Sequence, residues 1–283
     1  GGIASRSTEV PFSSLSFYSD KTDCPIRVYF VIDTSESVAL QTIPIESLVK
    51  LAKNFVHEFI RMLENEFYQG QVSMTWQYGG LHFSDVVKIY STFTNDKNAY
   101  LKKLDDIQYI GRGTFTDCAL SNMTAQILSN TAPGVNYAVV ITDGHVTGSP
   151  CGGMKLQAER ARDAGIKLFA VAPSRNIYEQ GLREIASSPL ELYRNNYTTT
   201  QKDGIDVDTS TAKRIIQKTK LMAPPPPKLS SDKDSGEETI TFPHPIPVCI
   251  APATSRMMST AELPIGAYLY TFSFYKHVQK AIL

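Results

Sequence analysis

Residues Tyr29–Leu40 read YFVIDTSESVAL. The stretch begins as an apolar run and ends in a group of small oxygen-bearing side chains: Asp33, Thr34, Ser35, Glu36 and Ser37. From Arg27 to Ile32 the sequence is largely apolar and rich in β-branched residues, which predicts a buried strand. A turn after that strand accounts for part of the polar group. It does not account for an acid and two serines spaced Asp-x-Ser-x-Ser, and the rest of the sequence decides whether something binds there.

Two further runs repeat the pattern. YAVVIT (Tyr137–Thr142) is followed by Asp143-Gly144, and IKLFAVA (Ile166–Ala172) reads as a third buried strand. Helical periodicity lies between them. A long helix is predicted over about Ile45–Glu66, with Leu48, Leu51, Ala52, Phe55, Phe59, Met62 and Leu63 on one face. Lys50, Lys53, His57 and Arg61 fall largely outside that face. Strands are predicted over Val72–Tyr78 and Val86–Tyr90, and helices over Asn95–Leu104, Thr116–Ser129, Lys155–Ala164 and Tyr178–Ala186. Gly165 stands where a helix C′ glycine is expected. A short strand near Glu191–Arg194 and a helix over Thr209–Lys220 close the set. Strands that alternate with helices, the central ones wholly apolar, predict an α/β fold. Its sheet is doubly wound, mostly parallel and Rossmann-like, with helices on both faces. Such sheets bind ligands beyond the carboxyl ends of their strands. Asp33 and Asp143 both follow strand ends, so both acids belong to one edge.

Composition narrows the function class. The chain has 283 residues, 42% hydrophobic and 20% charged, which suits a globular core. Lys+Arg and Asp+Glu are equal at 28 each, so no basic excess points to nucleic acid or an anionic membrane. No apolar run reaches the ~18 residues of a membrane span. The four cysteines, Cys24, Cys118, Cys151 and Cys249, form no CxxC pair, which argues against a zinc knuckle or a thioredoxin motif. Asn122-Met-Thr124 and Asn196-Tyr-Thr198 are glycosylation sequons. Asn122 lies off the apolar face made by Leu120, Met123, Ile127 and Leu128, and Asn196 lies in a polar loop. Few cysteines together with two sequons lean toward a secreted protein.

Residues 1–23 are Ser/Thr-rich and read as a leader arm, 24–222 as the folded domain and 223–283 as a tail. The tail opens with Pro224–Pro227, which favours polyproline II, and continues through the charged run Asp232–Glu238 to an aromatic end, Tyr268–Tyr275. It is expected to be largely disordered and to add little to the domain's stability. The opening Gly-Gly-Ile has no Met and no apolar leader, so a signal peptide is expected to be absent or already removed. With no Gly-X-Y run, the chain is not expected to form a triple helix itself.

GRGTFTDCAL (Gly111–Leu120) adds hydroxyls on a glycine-led loop. Carboxylate and hydroxyl oxygens without His or Cys suit a hard cation. The set resembles the metal-ion-dependent adhesion site of von Willebrand factor type A domains. That family pairs Asp-x-Ser-x-Ser with a Thr in a glycine-led loop and Asp-Gly after a buried strand. The resemblance assigns the metal, Mg2+ or Mn2+, to Asp33, Ser35, Ser37, Thr114 and Asp143, with the two acids bound directly or holding ligand waters. CPIRVYFVIDTSESV, YGGLHFSD, GTFTDCAL, VITDGHVTGSPCGG and LYRNNY are similar to collagen VI-type A domains. The resemblance implies a non-enzymatic protein of the extracellular matrix, active in protein–protein interaction and microfibril assembly. Its implied partners are matrix proteins and other collagen VI-like chains, with an acidic partner residue as the last metal ligand.

The rival readings are a receptor-type A domain that binds a ligand carboxylate directly, and a metal-dependent hydrolase. The hydrolase lacks support. His145 reads as a loop histidine, and neither it nor His82 is paired with a nucleophile. Ser35 has no nucleophile elbow, and no Walker A or GxGxxG loop follows the first strand. Ser35 also stands where an aspartate-nucleophile phosphatase needs its second acid. The alternative for Ser37 is the N-cap of the following helix. Cys118 and Cys151 flank loops at the same sheet edge and are a disulfide candidate, with two buried thiols as the alternative. Cys24 is open between a free thiol, an interchain bond and a pair with Cys249.

Overall fold

The first strand, β1 (Thr22–Asp33), is also the middle one. A computed structural model describes residues 22–41, 44, 46–68, 72–132, 134–195 and 207–221. Strand β1 pairs in parallel with β3 (Val72–Phe83) on one side and β5 (Val135–Ile141) on the other. Strand β6 (Lys167–Val171) extends the sheet in parallel beyond β5. The outer edge of β3 carries two antiparallel strands, β2 (Glu66–Tyr68) along its start and β4 (Val87–Thr94) along its end. The sheet is therefore mixed, with its parallel part at the centre.

Every residue of β1 from Ile26 to Asp33 is buried. Successive side chains of a strand point to opposite faces, so both faces must be covered. On one face Phe30 meets Phe59 of helix α2 (Ser47–Met62) and Tyr100 of α3 (Lys97–Asp105), with ring centroids 5.2 and 6.5 Å apart. Tyr29 points the other way and meets Phe93 edge-on at 5.6 Å. The helices form two packed groups. One joins α1 (Glu36–Ala39), α2, α3 and α7 (Thr209–Leu221); the other joins α4 (Thr116–Leu128), α5 (Met154–Asp163) and α6 (Glu179–Ile185). Parallel neighbours cannot be joined by tight hairpins, so the chain crosses over through these helices and covers the sheet as it does so.

Several expected elements change. The long helix ends at Met62 rather than Glu66, because Leu63 turns to extended backbone and Glu66–Tyr68 pairs with β3. Trp76 draws that segment in: its N–H donates to Asn65 Oδ1 and its indole N–H to the Glu64 carbonyl. Helix α1 is an addition, and Ser37 lies inside it rather than capping a helix; Ser35 holds the N-cap position without a side-chain cap bond. Leu128 is 52% exposed instead of joining the α4 core face. At 100° per residue it has turned well past the stripe set by Leu120, Met123 and Ile127.

The short strand expected near Glu191–Arg194 is instead a π-helical turn, Glu191–Asn195. Two consecutive side chains there, Tyr193 and Arg194, are buried, which the alternation of an edge strand does not provide. The Arg194 guanidinium donates to both oxygens of Glu179, at 3.1 and 2.7 Å. Arg194 is fully buried, whereas the Glu179 side chain is 43% exposed. Removing the acid leaves a buried cation behind, so Glu179→Ala is expected to lower unfolding free energy by roughly 2–4 kcal/mol in chemical denaturation. Glu179→Gln, which keeps one acceptor, is expected to cost less.

Candidate metal centre

The register of the sheet brings the two acids together. Asp33 lies opposite Phe83 on β3, and Ile32 lies opposite Ile141 on β5, so Thr142 and Asp143 leave the sheet beside Asp33. Thr142 Oγ1 donates to Asp33 Oδ2 at 2.7 Å, and the Ser35 N–H donates to Asp33 Oδ1 at 2.9 Å. Asp33 is 1% exposed. Burial and then the Asp143 charge push its carboxyl up to about 7.

Three hydroxyls line up next to the acids. Ser35 Oγ lies 3.1 Å from Ser37 Oγ, which lies 3.4 Å from Thr114 Oγ1. Ser35 is the N-cap of helix α1, and Ser37 lies in its first turn. The loop carrying Thr114 is held from both sides. The Ile110 and Gly111 N–H groups donate to the Thr34 carbonyl, and the Glu36 N–H donates to the Arg112 carbonyl. The Phe115 N–H donates to the Ser84 carbonyl at the end of β3. Arg112 takes a left-handed φ of 65° within this loop.

Asp143 is fully buried and receives two donors. The His145 N–H donates to Oδ1 at 3.0 Å, and Gln41 Nε2 donates to Oδ2 at 3.1 Å. Gln41 Nε2 also reaches the Ser37 and Asn176 carbonyls, at 2.9 and 3.2 Å. The Asp-Gly pair has a steric basis. Gly144 takes φ 82°, and a Cβ there would collide with the Tyr178 carbonyl oxygen.

The five residues read from the sequence thus meet at one edge as an oxygen-only set. Gln41, Thr142 and Thr147 join them as holders of Asp143, Asp33 and Thr114. Gln41 carries no local signal for this role, because its contact with Asp143 spans 102 residues. His82 is not in a loop: β3 runs to Phe83, and His82 is 6% exposed with Nδ1 3.2 Å from Thr34 Oγ1. His145 is half-exposed, and its ring packs 5.9 Å from Tyr178.

Cys118 and Cys151 are joined in a disulfide. Asp117 sits beside it, and the ligand atoms of the three residues lie within 4.8 Å of one another. Two of the three are consumed by the bond, so this group is no rival metal site in the oxidised protein. Asn122 is exposed on α4, its amide donating to the Cys118 carbonyl at 2.9 Å. Asn196, Cys249, residues 1–21 of the leader arm and the whole 223–283 tail lie outside the described residues, as does the Cys24 side chain.

Residues 28–209 match the von Willebrand factor type A domain. The chain belongs to that family. Over 199 residues, 70% of its length, it is 69% identical to the collagen alpha-2(VI) chain of Gallus gallus, of which the match spans 20%. Over 184 residues, 62% of its length, it is 36% identical to the collagen alpha-1(VI) chain of Homo sapiens, of which the match spans 18%. The chain therefore spans about a fifth of the length of these collagen relatives. Proximal thread matrix protein 1 of the mussel byssus shares the fold, with a TM-score of 0.53 and 19% identity, over 70% of this chain and 49% of that one. This is a collagen VI-like A domain, and its collagen relatives are structural proteins of the extracellular matrix rather than enzymes. Among the described residues no helix is long and apolar enough to cross a membrane.

The buried histidine of the A domain makes a pH prediction. Burial, then Lys88 and Lys53, lower the His82 pKa to about 4, against 6.5 for the free side chain. The unfolded chain binds this proton more tightly, so the histidine's contribution to stability is lost as pH falls from about 6.5 toward 4. From pH 7 to pH 5 the wild-type protein is expected to lose about 2 kcal/mol more than His82→Gln does, measured by denaturant unfolding at both pH values.

Proposed function

We propose that this A domain, residues 24–222, is a secreted, non-enzymatic interaction module of the extracellular matrix. It serves microfibril assembly among collagen VI-like chains and other matrix proteins. Its contact with a partner runs through a divalent cation, Mg2+ or Mn2+, at the β1–β5 edge. The observation that carries this reading is the oxygen set itself. Three hydroxyls linked in a row, Ser35 to Ser37 to Thr114, and two buried carboxylates converge from three separate segments. Hard oxygens without nitrogen or sulfur suit Mg2+ or Mn2+.

Ser35, Ser37 and Thr114 would hold the cation with Asp33 and Asp143, the acids acting directly or by holding water. A bound cation supplies a coordination position for a carboxylate of the partner. The chain's own residues do the rest: the Ser35 N–H and the Thr142 hydroxyl aim the Asp33 carboxylate, and Gln41 and the His145 N–H aim Asp143. A proximal thread matrix protein 1 structure has zinc in its own metal-ion-dependent adhesion site, which supports the same use of this edge.

Isothermal titration of the full chain is expected to show Mg2+ or Mn2+ binding. Asp33→Ala should weaken it by about 100-fold or more while far-UV circular dichroism stays unchanged. Unaltered affinity in that variant would sink the assignment. Asp33 holds a proton up to about pH 7, so apparent affinity is expected to fall about tenfold per pH unit below that value as proton and cation compete.

Asn122 and Asn196 are proposed as glycan acceptors. Asn122 is exposed on α4. Peptide mapping of the secreted protein is expected to find the glycan on Asn122, and an unmodified Asn122 peptide in full yield would refute it.

A further inference from the structure

The Asp117, Cys118 and Cys151 group lies at the far end of the two loops that carry Thr114 and Asp143. Asp117 is 1% exposed, and its carboxylate accepts three backbone N–H groups. They come from Cys118 at 2.9 Å, Cys151 at 2.7 Å and Gly153 at 3.1 Å. Gln157 Nε2 donates to the Cys151 carbonyl at 2.5 Å. A buried carboxylate with several N–H donors is a strong, directional clamp. The covalent bond and the clamp therefore fasten the same two segments, the start of α4 and the loop before α5.

The seam continues from there to the metal edge. The Thr114 N–H donates to Thr147 Oγ1 at 2.7 Å, and the Thr147 N–H returns a bond to the Thr114 carbonyl at 3.2 Å. Gly148 lies flat on Phe115, where a Cβ would sit 2.8 Å from the ring. Each contact of the seam sits between the disulfide and the site. Thr114 also makes the longer of the two hydroxyl contacts, 3.4 Å against 3.1 Å, so the Asp-x-Ser-x-Ser segment does not by itself settle its position.

We propose that Cys118–Cys151, with Asp117, is the positioning tie of the metal centre, so that cation affinity depends on the redox state of this disulfide. The proposal rests on the metal reading above. A dithiol reductant supplies two electrons and two protons: the S–S bond breaks, Cys118 and Cys151 become thiols, and the reductant closes to its own disulfide. Both cysteines are partly exposed, so the reductant has access. With the far end released, Thr114 and the loop after Asp143 lose their shared register and the site holds a cation less tightly. Linkage makes the effect reciprocal: a bound cation must make the disulfide harder to reduce by the same factor.

The test uses the full chain and Mg2+, a hard cation that exposed thiols do not compete for. Titration of the oxidised protein is compared with Cys118→Ala/Cys151→Ala, which removes this bond alone, and with Asp117→Asn, which keeps the bond and breaks the clamp. The double variant is expected to keep its far-UV dichroism and bind Mg2+ at least tenfold more weakly, with Asp117→Asn in between. In a dithiol redox buffer, with alkylation of Cys118 and Cys151 read by mass spectrometry, saturating Mg2+ should lower the midpoint potential. The shift for a tenfold coupling is about 30 mV. Affinities within twofold of each other, or a potential that Mg2+ does not move, overturn the proposal. Loss of the fold in the double variant also overturns it, because the bond is then a general staple. No Mg2+ binding by the oxidised protein overturns the metal reading first, and is recognised before any cysteine is touched.

Discussion

The edge of the sheet where the two acids meet depends on one buried carboxylate. Asp33 ends a strand that is covered on both faces, and water scarcely reaches it. An acid in that position is costly unless donors, a proton or a cation balance its charge. The fold supplies the Ser35 N–H and the Thr142 hydroxyl, one to each oxygen, and then places a second buried acid nearby. The carboxyl accordingly holds its proton far above the usual carboxylate range. Around it stand three hydroxyls: Ser35 at the N-cap of α1, Ser37 within α1, and Thr114 on the loop before α4.

The same burial acts in the opposite sense on His82. Its imidazole is kept neutral, whereas the carboxyl of Asp33 is kept protonated. Asp33 contributes stability that is lost as pH rises from about 3.8 to about 7. His82 contributes stability that is lost as pH falls from about 6.5 to about 4. Over the shared window the two contributions oppose each other. The net acid response of this pair is therefore smaller than that of either group alone, and single substitutions expose what the pair conceals.

The loops of the edge are organised by contacts between segments remote in sequence. Thr34 receives N–H groups from residues 110 and 111, Thr114 and Thr147 exchange two bonds, and Gln41 reaches Asp143 and the Asn176 carbonyl. Asp33, Asp143 and Thr114 are each held by a residue from another loop. A change in one loop is thus transmitted to its neighbour by hydrogen bonds and, between α4 and the loop before α5, by a covalent bond.

Much of this was legible in the sequence because strands and helices write their burial into it at fixed periods. The apolar runs Arg27–Ile32, Tyr137–Thr142 and Ile166–Ala172 announced β1, β5 and β6, and the acids that follow two of them announced the edge where Asp33 and Asp143 meet. The Asp-x-Ser-x-Ser spacing, Thr114 and Asp143-Gly144 are local patterns, and local patterns survive in one dimension. The π-helical turn at Glu191–Asn195, the strand at Glu66–Tyr68 and the placement of Ser37 inside α1 did not, since Arg194, Trp76 and the strand tip impose them from elsewhere. Sequence by itself determined the alternating sheet, its buried centre and the chemistry of the five oxygen-bearing residues. Only the tertiary structure decided that Gln41, Thr142 and Thr147 would meet Asp143, Asp33 and Thr114. Hydrogen-bond partners tens of residues apart are chosen by where the sheet register sets the loops down.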